Sequence, residues 1–284
     1  MPPTGAGRLI LCATPIGNLG DASRRLGEVL AEVDLVFAED TRRSTVLLDS
    51  LGVKKPLQSY FVGNEAVRAR ELEDLLSMGK AVALLTDAGT PAISDPGLSA
   101  VAAARAAGAA VSVIPGPSAV TAALAVSGLP SDRFVFEGFL PRKGRERDRR
   151  LAGLTAETRT VVIFVATRQL LTDLRALAER VPDRPLCIAR ELTKVFEEIQ
   201  WTTPLEASTE WASRPVKGEF TLVLGGAGPE NADPDAAVVK ALLAIDQGQT
   251  MAEAVRRVAG QLGVSRRELY QRVLARTRET TPGR

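Results

Sequence analysis

Four short segments rich in glycine, proline and acidic residues each follow directly on an apolar, strand-like run in the first half of the chain. Thr14-Pro15-Ile16-Gly17-Asn18 follows Leu9 to Ala13, and Glu39-Asp40-Thr41-Arg42 follows Leu35 to Ala38. Thr86-Asp87-Ala88-Gly89-Thr90-Pro91 follows Ala81 to Leu85, and Pro115-Gly116-Pro117-Ser118-Ala119 follows Val111 to Ile114. Apolar runs with little polar alternation, separated by helix-like stretches, are the pattern of a parallel sheet covered on both faces. In an open α/β sheet a ligand binds beyond the carboxyl ends of the strands, so all four segments are expected on one rim.

Strands are expected at 9–13, 34–38, 81–86 and 110–114, with helices near 20–32, 41–51, 64–78, 95–107 and 117–127. Beyond the punctuating loop Ser127 to Asp132 the character changes. Strand-like runs lie near 133–139, 160–166, 185–191, 196–203 and 219–225, but helices intervene only near 143–154 and 168–180. Strands without crossover helices imply a mixed or antiparallel sheet. Gly225 to Pro234 reads as a linker, and three helix-like segments follow near 235–247, 250–261 and 266–277. The expected division is therefore an α/β domain at 1–118, a second α/β domain at 119–228 and a small helical domain at 235–284. In the last of these, Ser265 to Glu268 has capping-box spacing, and the final helices resemble a helix-turn-helix. A plain surface helical hairpin accounts for the same pattern.

The 284 residues contain no histidine, which excludes His-based acid/base chemistry, Ser-His-Asp triads and His-ligated metals. Cys12 and Cys187 both sit in apolar runs, so neither a disulfide framework nor a metal site is expected. Met1 to Gly7 lacks the pattern of a signal peptide, and no apolar run approaches membrane-spanning length. A cytoplasmic protein without membrane contact is expected. The net charge of +2 says little, but its distribution is uneven. Arg142, Lys143, Arg145, Arg147, Arg149 and Arg150 are interrupted by only two acids, and the tail is rich in arginine.

The rim segments carry recognisable local chemistry. Asp87 to Pro91 with Ser94-Asp95-Pro96-Gly97 sets carboxylates and glycines around a helix start, where backbone amides favour an anion. Pro117 suits a first helical turn, and Ser118 is able to bond nearby backbone. Asp40 or Thr41 caps a helix beside Arg42 and Arg43. The P-loop ending and the dinucleotide fingerprint are both missing, which lowers nucleotide hydrolysis and nicotinamide chemistry in rank.

Taken together with Ser127-Gly128-Leu129-Pro130 and Phe136-Glu137-Gly138-Phe139-Leu140-Pro141, these segments resemble the signature of the bacterial ribosomal RNA small subunit methyltransferase I family. The resemblance runs through residues 8–226 in order, and the tail from 235 is similar to that family's helical carboxyl-terminal domain. It implies two α/β domains of tetrapyrrole-methylase type with the cofactor cleft between them, S-adenosylmethionine as cofactor, and a homodimer. It also implies methylation of the ribose 2′-oxygen of a cytidine in the decoding region of 16S ribosomal RNA, with the small subunit as partner. The cofactor residues carry over to Pro15, Asp87, Gly89, Thr90, Ser118, Ala119, Phe164 and Ala189. The chain departs from the family where Arg43, Phe61 and Gly63 stand at expected histidines, so any mechanism using those histidines fails here.

A ribose hydroxyl is a weak acid that must lose its proton during methyl transfer. Glu39, Asp40 and Arg42 rank first as catalytic candidates because they share a rim motif, with Glu191 or a Lys194 of lowered pKa as further helpers. Arg142, Lys143, Arg145, Arg266 and Arg267 are the expected RNA contacts. A solvated charged helix is the plain alternative for the basic run. Rival functions are a small-molecule, tetrapyrrole-like methylase on the same fold and a non-catalytic RNA-binding assembly factor.

Overall fold

The computed structural model describes residues 7–227, 234–262 and 266–279. Five strands, β1 (Arg8–Cys12), β2 (Leu35–Ala38), β3 (Leu57–Ser59), β4 (Ala81–Leu85) and β5 (Ala110–Ile114), form a wholly parallel sheet in the order β3-β2-β4-β1-β5. Alternate residues of these strands feed two cores. Ile10, Cys12, Val36, Ala83 and Leu85 pack under α1 (Arg24–Glu32) and α2 (Thr41–Ser50) through Leu26, Leu30, Leu47 and Leu48. Leu9, Phe37, Val82 and Leu84 face the other way, against Leu72 and Leu76 of α3 (Glu65–Ser77) and Ala100 and Ala104 of α4 (Leu98–Ala106). Burial on both faces is why these strands read as unbroken apolar runs.

The second sheet has the order β6-β7-β10-β8-β9. It is built from β6 (Phe134–Phe139), β7 (Thr160–Val165), β8 (Leu186–Arg190), β9 (Glu198–Thr202) and β10 (Phe220–Leu224). Only β6 and β7 run parallel, so the sheet is mixed. One face packs on α6 (Arg145–Ala156), α7 (Leu170–Arg180) and α8 (Pro204–Ala212), with Trp211 fully buried. On the other face, Val120, Ala123 and Leu124 of α5 (Ala119–Ser127) meet Val162, Ala189 and Val223, and Ile16 from the first sheet's rim joins the same cluster. That cluster is the floor on which the two sheets meet.

Several details differ from the sequence reading. The helix expected near 20–32 is a short 3-10 turn (Leu19–Asp21) followed by α1, because the Ser23 hydroxyl accepts the Leu26 N–H at 3.1 Å and restarts the helix there. The short, half-buried edge strand β3 and the helix α8 were not expected. α5 begins at Ala119, so Pro117 precedes the helix, and the Ser118 side chain makes no capping bond.

Three helices close the chain, α9 (Pro234–Asp246), α10 (Met251–Leu262) and α11 (Arg266–Glu279). They share a small core of Ala237, Val238, Ala241, Val255, Val258, Leu269 and Val273. Thr250 and Glu253 cap α10 reciprocally, whereas the box expected at Ser265 lies outside the described residues. Among the described residues no helix is long and apolar enough to cross a membrane, and no cluster of His, Cys, Asp and Glu could hold a metal.

Candidate active site

A cavity of about 400 Å³ opens between the two sheets. Each of the four rim segments contributes: Ile16 after β1, Glu39 and Arg43 after β2, Asp87 to Thr90 after β4, and Ser118 with Ala119 after β5. The opposite wall comes from the second sheet, including Phe139, Phe164, Ala189 and Thr221. Of the expected cofactor residues, Asp87, Gly89, Thr90, Ser118, Ala119, Phe164 and Ala189 line this cavity. Pro15 lines an adjoining one of about 350 Å³ instead. The two cavities share Ile16, Arg43, Asp87, Ala88 and Glu219 as a common wall.

The segment from Thr86 to Gly97 is pinned from both ends. Thr14 and Gly89 exchange backbone hydrogen bonds at 2.8 and 3.2 Å, and the Thr14 hydroxyl donates to the Thr86 carbonyl at 3.1 Å. At the far end the Glu65 carboxylate accepts from the Gly97 N–H and the Ser99 hydroxyl, each at 3.0 Å. Between these anchors Ala92 and Ser94 hold φ of 70° and 61°, a left-handed conformation costly for residues with a Cβ. The second sheet makes room for them: β6 bulges after Phe136, and a Cβ on Gly138 (φ 63°) would lie 3.0 Å from Ser94 Oγ.

Four carboxylates line the cavity, those of Glu39, Asp87, Asp95 and Glu219. The Asp87 N–H donates to Glu39 at 3.2 Å, the Asp40 N–H donates to Asp87 Oδ1 at 3.0 Å, and Arg43 pairs with Asp87 Oδ2 at 3.2 Å. Burial raises the Glu39 pKa. Burial, reinforced by the charges of Glu39 and Asp87, pushes Asp95 up to about 7. A carboxyl held near neutrality is suited to accept a proton from a bound hydroxyl.

Two of the three catalytic candidates fall elsewhere. Asp40 caps α2 by accepting the Arg42 N–H at 2.9 Å, and its carboxylate pairs with the Arg42 guanidinium at 2.8 Å. Those bonds hold Asp40 down at about 2, and Arg42 is 90% exposed. Neither residue lines either cavity. The cap is the physical reason: Glu39 directly follows the strand and faces the cleft, and Arg43 is the guanidinium that the first turn brings there. Arg43 and Asp95 lie within the rim motifs of the sequence, where residue type alone does not set them apart from their neighbours.

On the second sheet's side, Lys194 Nζ donates to Glu191 Oε1 and Glu219 Oε2, both at 2.9 Å, and the Glu219 N–H donates to the same Glu191 oxygen at 2.9 Å. Burial works to lower the Lys194 pKa, but the bonds to the two carboxylates outweigh it and the net shift is upward. The expectation of a lysine base is thereby corrected, since Lys194 stays a cation. Gly17 explains how this loop reaches the first sheet's rim. A Cβ there would sit 2.4 Å from Lys194 Cγ and 2.9 Å from the Leu192 carbonyl oxygen.

Comparison with known proteins agrees with this architecture. The profile of the Tetrapyrrole (Corrin/Porphyrin) Methylases matches residues 8–208. Ribosomal RNA small subunit methyltransferase I of Mycobacterium tuberculosis (strain CDC 1551 / Oshkosh) is 44% identical over 279 residues, covering 97% of this chain and 97% of its own. The chain belongs to the tetrapyrrole methylase family, in its ribosomal RNA small subunit methyltransferase I branch. The Thermotoga maritima protein of that branch is 46% identical over 220 residues, 78% of this chain and 99% of its own. Among solved structures, diphthine synthase superposes with a TM-score of 0.58 at 16% identity, covering 78% of this chain and 90% of its own. A uroporphyrin-III C-methyltransferase of Thermus thermophilus, complexed with S-adenyl homocysteine, superposes at 0.54 and 18% identity, covering 77% and 96%. At such identities these structures establish the shared fold.

The basic segments of this methyltransferase divide by partner. Arg142, Lys143 and Arg145 are exposed, directly after the cavity residue Phe139. Arg147 instead is buried, pairing with Asp173 at 2.7 Å and donating to the Pro141 carbonyl at 3.0 Å. Arg149 and Arg150 pair with Glu146, and Arg150 also with Glu137. Arg266 and Arg267 are exposed on the first turn of α11, in a shallow depression with Tyr270.

Proposed function

We propose that the chain transfers a methyl group from S-adenosylmethionine to the ribose 2′-oxygen of a cytidine in the decoding region of 16S ribosomal RNA. The observation that carries this reading is the inter-sheet cavity, where a carboxyl poised near neutrality lies beside an apolar wall and a helix start. The lining fits the cofactor. Ser118 and Ala119 at the start of α5 suit its carboxylate, Phe164 and Ala189 its adenine, and Asp87 its cationic groups. When bound, the cofactor supplies a sulfonium methyl, so that an oxygen–carbon bond forms as the carbon–sulfur bond breaks with its electron pair going to sulfur.

This chain's residues do the rest. Asp95, flanked by Glu39, takes the hydroxyl proton, while Arg43 holds the Asp87 carboxylate in place. Lys194, bonded to Glu191 and Glu219, holds the 191–197 turn in place beside the second cavity. Arg142, Lys143, Arg145, Arg266 and Arg267 grip the RNA backbone, which makes binding salt-sensitive. The exposed edge strand β5, with Val111 40% and Val113 48% accessible, supports a homodimer. We divide the chain into units at 1–118, 119–228 and 235–284, and place its action in the cytoplasm on the small ribosomal subunit.

The test is incorporation of labelled methyl into small subunits and naked ribosomal RNA from cells lacking this protein, followed by nucleoside mass spectrometry. 2′-O-methylcytidine is expected. No incorporation with the cofactor bound would reject the reading in favour of a small-molecule methylase. Ribosome binding without either cofactor binding or methylation would favour an assembly factor.

A further inference from the structure

The loop 191–197 is the turn of the β8–β9 hairpin, whose stems pair from Arg190↔Glu198 outward. At its tip Val195 is 94% and Phe196 72% exposed. The tip is nonetheless tightly built. The Thr193 N–H donates to the Glu197 carboxylate at 2.6 Å, the Lys194 N–H to the Glu191 carbonyl at 3.0 Å, and the Glu197 N–H to the Lys194 carbonyl at 3.1 Å. Glu191 and Thr193 adopt φ of 50° and 66°, and Glu198 at the base is clamped by Arg190 at 3.0 Å and Arg214 at 2.7 Å. A turn braced by these bonds holds two adjacent apolar side chains out to solvent, where a partner can cover them.

What lies beside the tip identifies that partner. Lys194, the residue before Val195, lines the second cavity of about 350 Å³ together with apolar Leu19, Val46 and Leu47 and the polar Ser44 and Arg43. This space is of the size that holds a small ligand such as a nucleoside, and it shares a wall with the first cavity. Lys217, exposed next to the hairpin base through the Arg190 Nε bond to its carbonyl at 2.8 Å, adds a second cation at the same edge. Lys194 is neutralised by Glu191 and Glu219, so what this edge offers a partner is the aromatic tip, the nucleoside-sized cavity and the exposed Lys217, a combination that fits a strand with stackable bases.

We propose that the 191–197 turn is an apolar wedge for RNA, in which Phe196, buttressed by Val195, stacks in the place vacated by the target nucleotide while that nucleotide passes Lys194 and the wall shared by the two cavities to reach the first. The proposal rests on the RNA-methylating reading above. A ribose hydroxyl inside a stacked strand cannot reach an inter-sheet cavity, so its nucleotide must be splayed out, and an inserted apolar side chain offsets the lost stacking.

The test compares wild type with Val195→Ala/Phe196→Ala, Phe196→Ser and Phe196→Trp in methylation of small subunits from cells lacking the protein. Binding of S-adenosylmethionine and oligomeric state are measured in parallel. The double variant and Phe196→Ser are expected to raise KM for subunits by ~10-fold, with cofactor affinity and oligomeric state unchanged, and Phe196→Trp to stay within about twofold of wild type. Unchanged kinetics in an active enzyme would overturn the wedge alone. A change of oligomeric state in the two loss variants would assign the tip to a second copy of this chain and overturn it too. Failure of the wild type to methylate RNA would remove the underlying reading and the wedge with it.

Discussion

The two loops that face each other across the cleft, 86–97 from the first sheet and 191–197 from the second, are built alike and charged differently. Both hold two non-glycine residues in left-handed backbone, and both are pinned by hydrogen bonds to distant segments. In the first loop the local charges disagree: Asp95 sits partly buried near Glu39 and Asp87, and its proton is held to about pH 7. In the second they agree, since Lys194 lies between Glu191 and Glu219 and each carboxylate has a donor. Strained backbone alone therefore does not mark chemistry. The first loop leaves a carboxyl poised to exchange a proton near neutrality, and the second uses its charges to hold itself together.

Asp95→Asn is the sharpest way to break that contrast. It removes the proton acceptor, and kcat on RNA is expected to fall by ~10²-fold or more with cofactor binding retained, as single-turnover kinetics would show. The same change carries a stability signature. Because the folded-state pKa is raised, the folded protein holds this proton more tightly than the unfolded chain, and Asp95 weakens the fold as pH rises from the ordinary carboxylate range through 7. Melting curves of Asp95→Asn should show a higher Tm than wild type at pH 8 and none of that difference at pH 4.

Lys194→Met breaks the satisfied side. Loss of the cation leaves Glu191 and Glu219 facing each other, and KM for small subunits is expected to rise by ~10-fold with a smaller change in kcat. A larger loss in kcat than in KM would move Lys194 from holding the turn to taking part in the reaction. Gly17→Ala tests the seam between the loops. The added methyl meets Lys194 Cγ at 2.4 Å and the Leu192 carbonyl at 2.9 Å, so a destabilisation of about 1–3 kcal/mol is expected in denaturant titrations. Arg42→Ala is the mildest change. Its exposed pair with Asp40 lies outside both cavities, and activity should stay within about twofold of wild type.

The rim was legible in the sequence because each strand of a parallel sheet ends in a loop whose residue types must serve the ligand, and apolar runs mark where those strands stop. Phe164 and Ala189 were reachable only through family resemblance, since nothing in their own strands distinguishes them from core. The choice between Glu39 with Arg43 and Asp40 with Arg42 depended on the helix phase set by the Asp40 cap, a difference of one residue that composition cannot resolve. Arg147 looked like its neighbours in the basic run, yet it is buried against Asp173 because its helix position faces α7. β3 was missed because Leu57-Gln58-Ser59 is too short to show alternation. For α8 the signal is present in the sequence, with Thr203 and Glu206 forming a capping box around Pro204.

The account turns on a carboxyl in the cleft that accepts the hydroxyl proton, and the most direct measurement is the single-turnover rate of methyl transfer to small subunits from pH 5.5 to 9, in wild type and Asp95→Asn. The account expects the wild-type rate to climb through a midpoint near 7, as the Asp95 carboxylate forms, and the variant to be slow without that midpoint. A variant that keeps both the rate and the midpoint would contradict it.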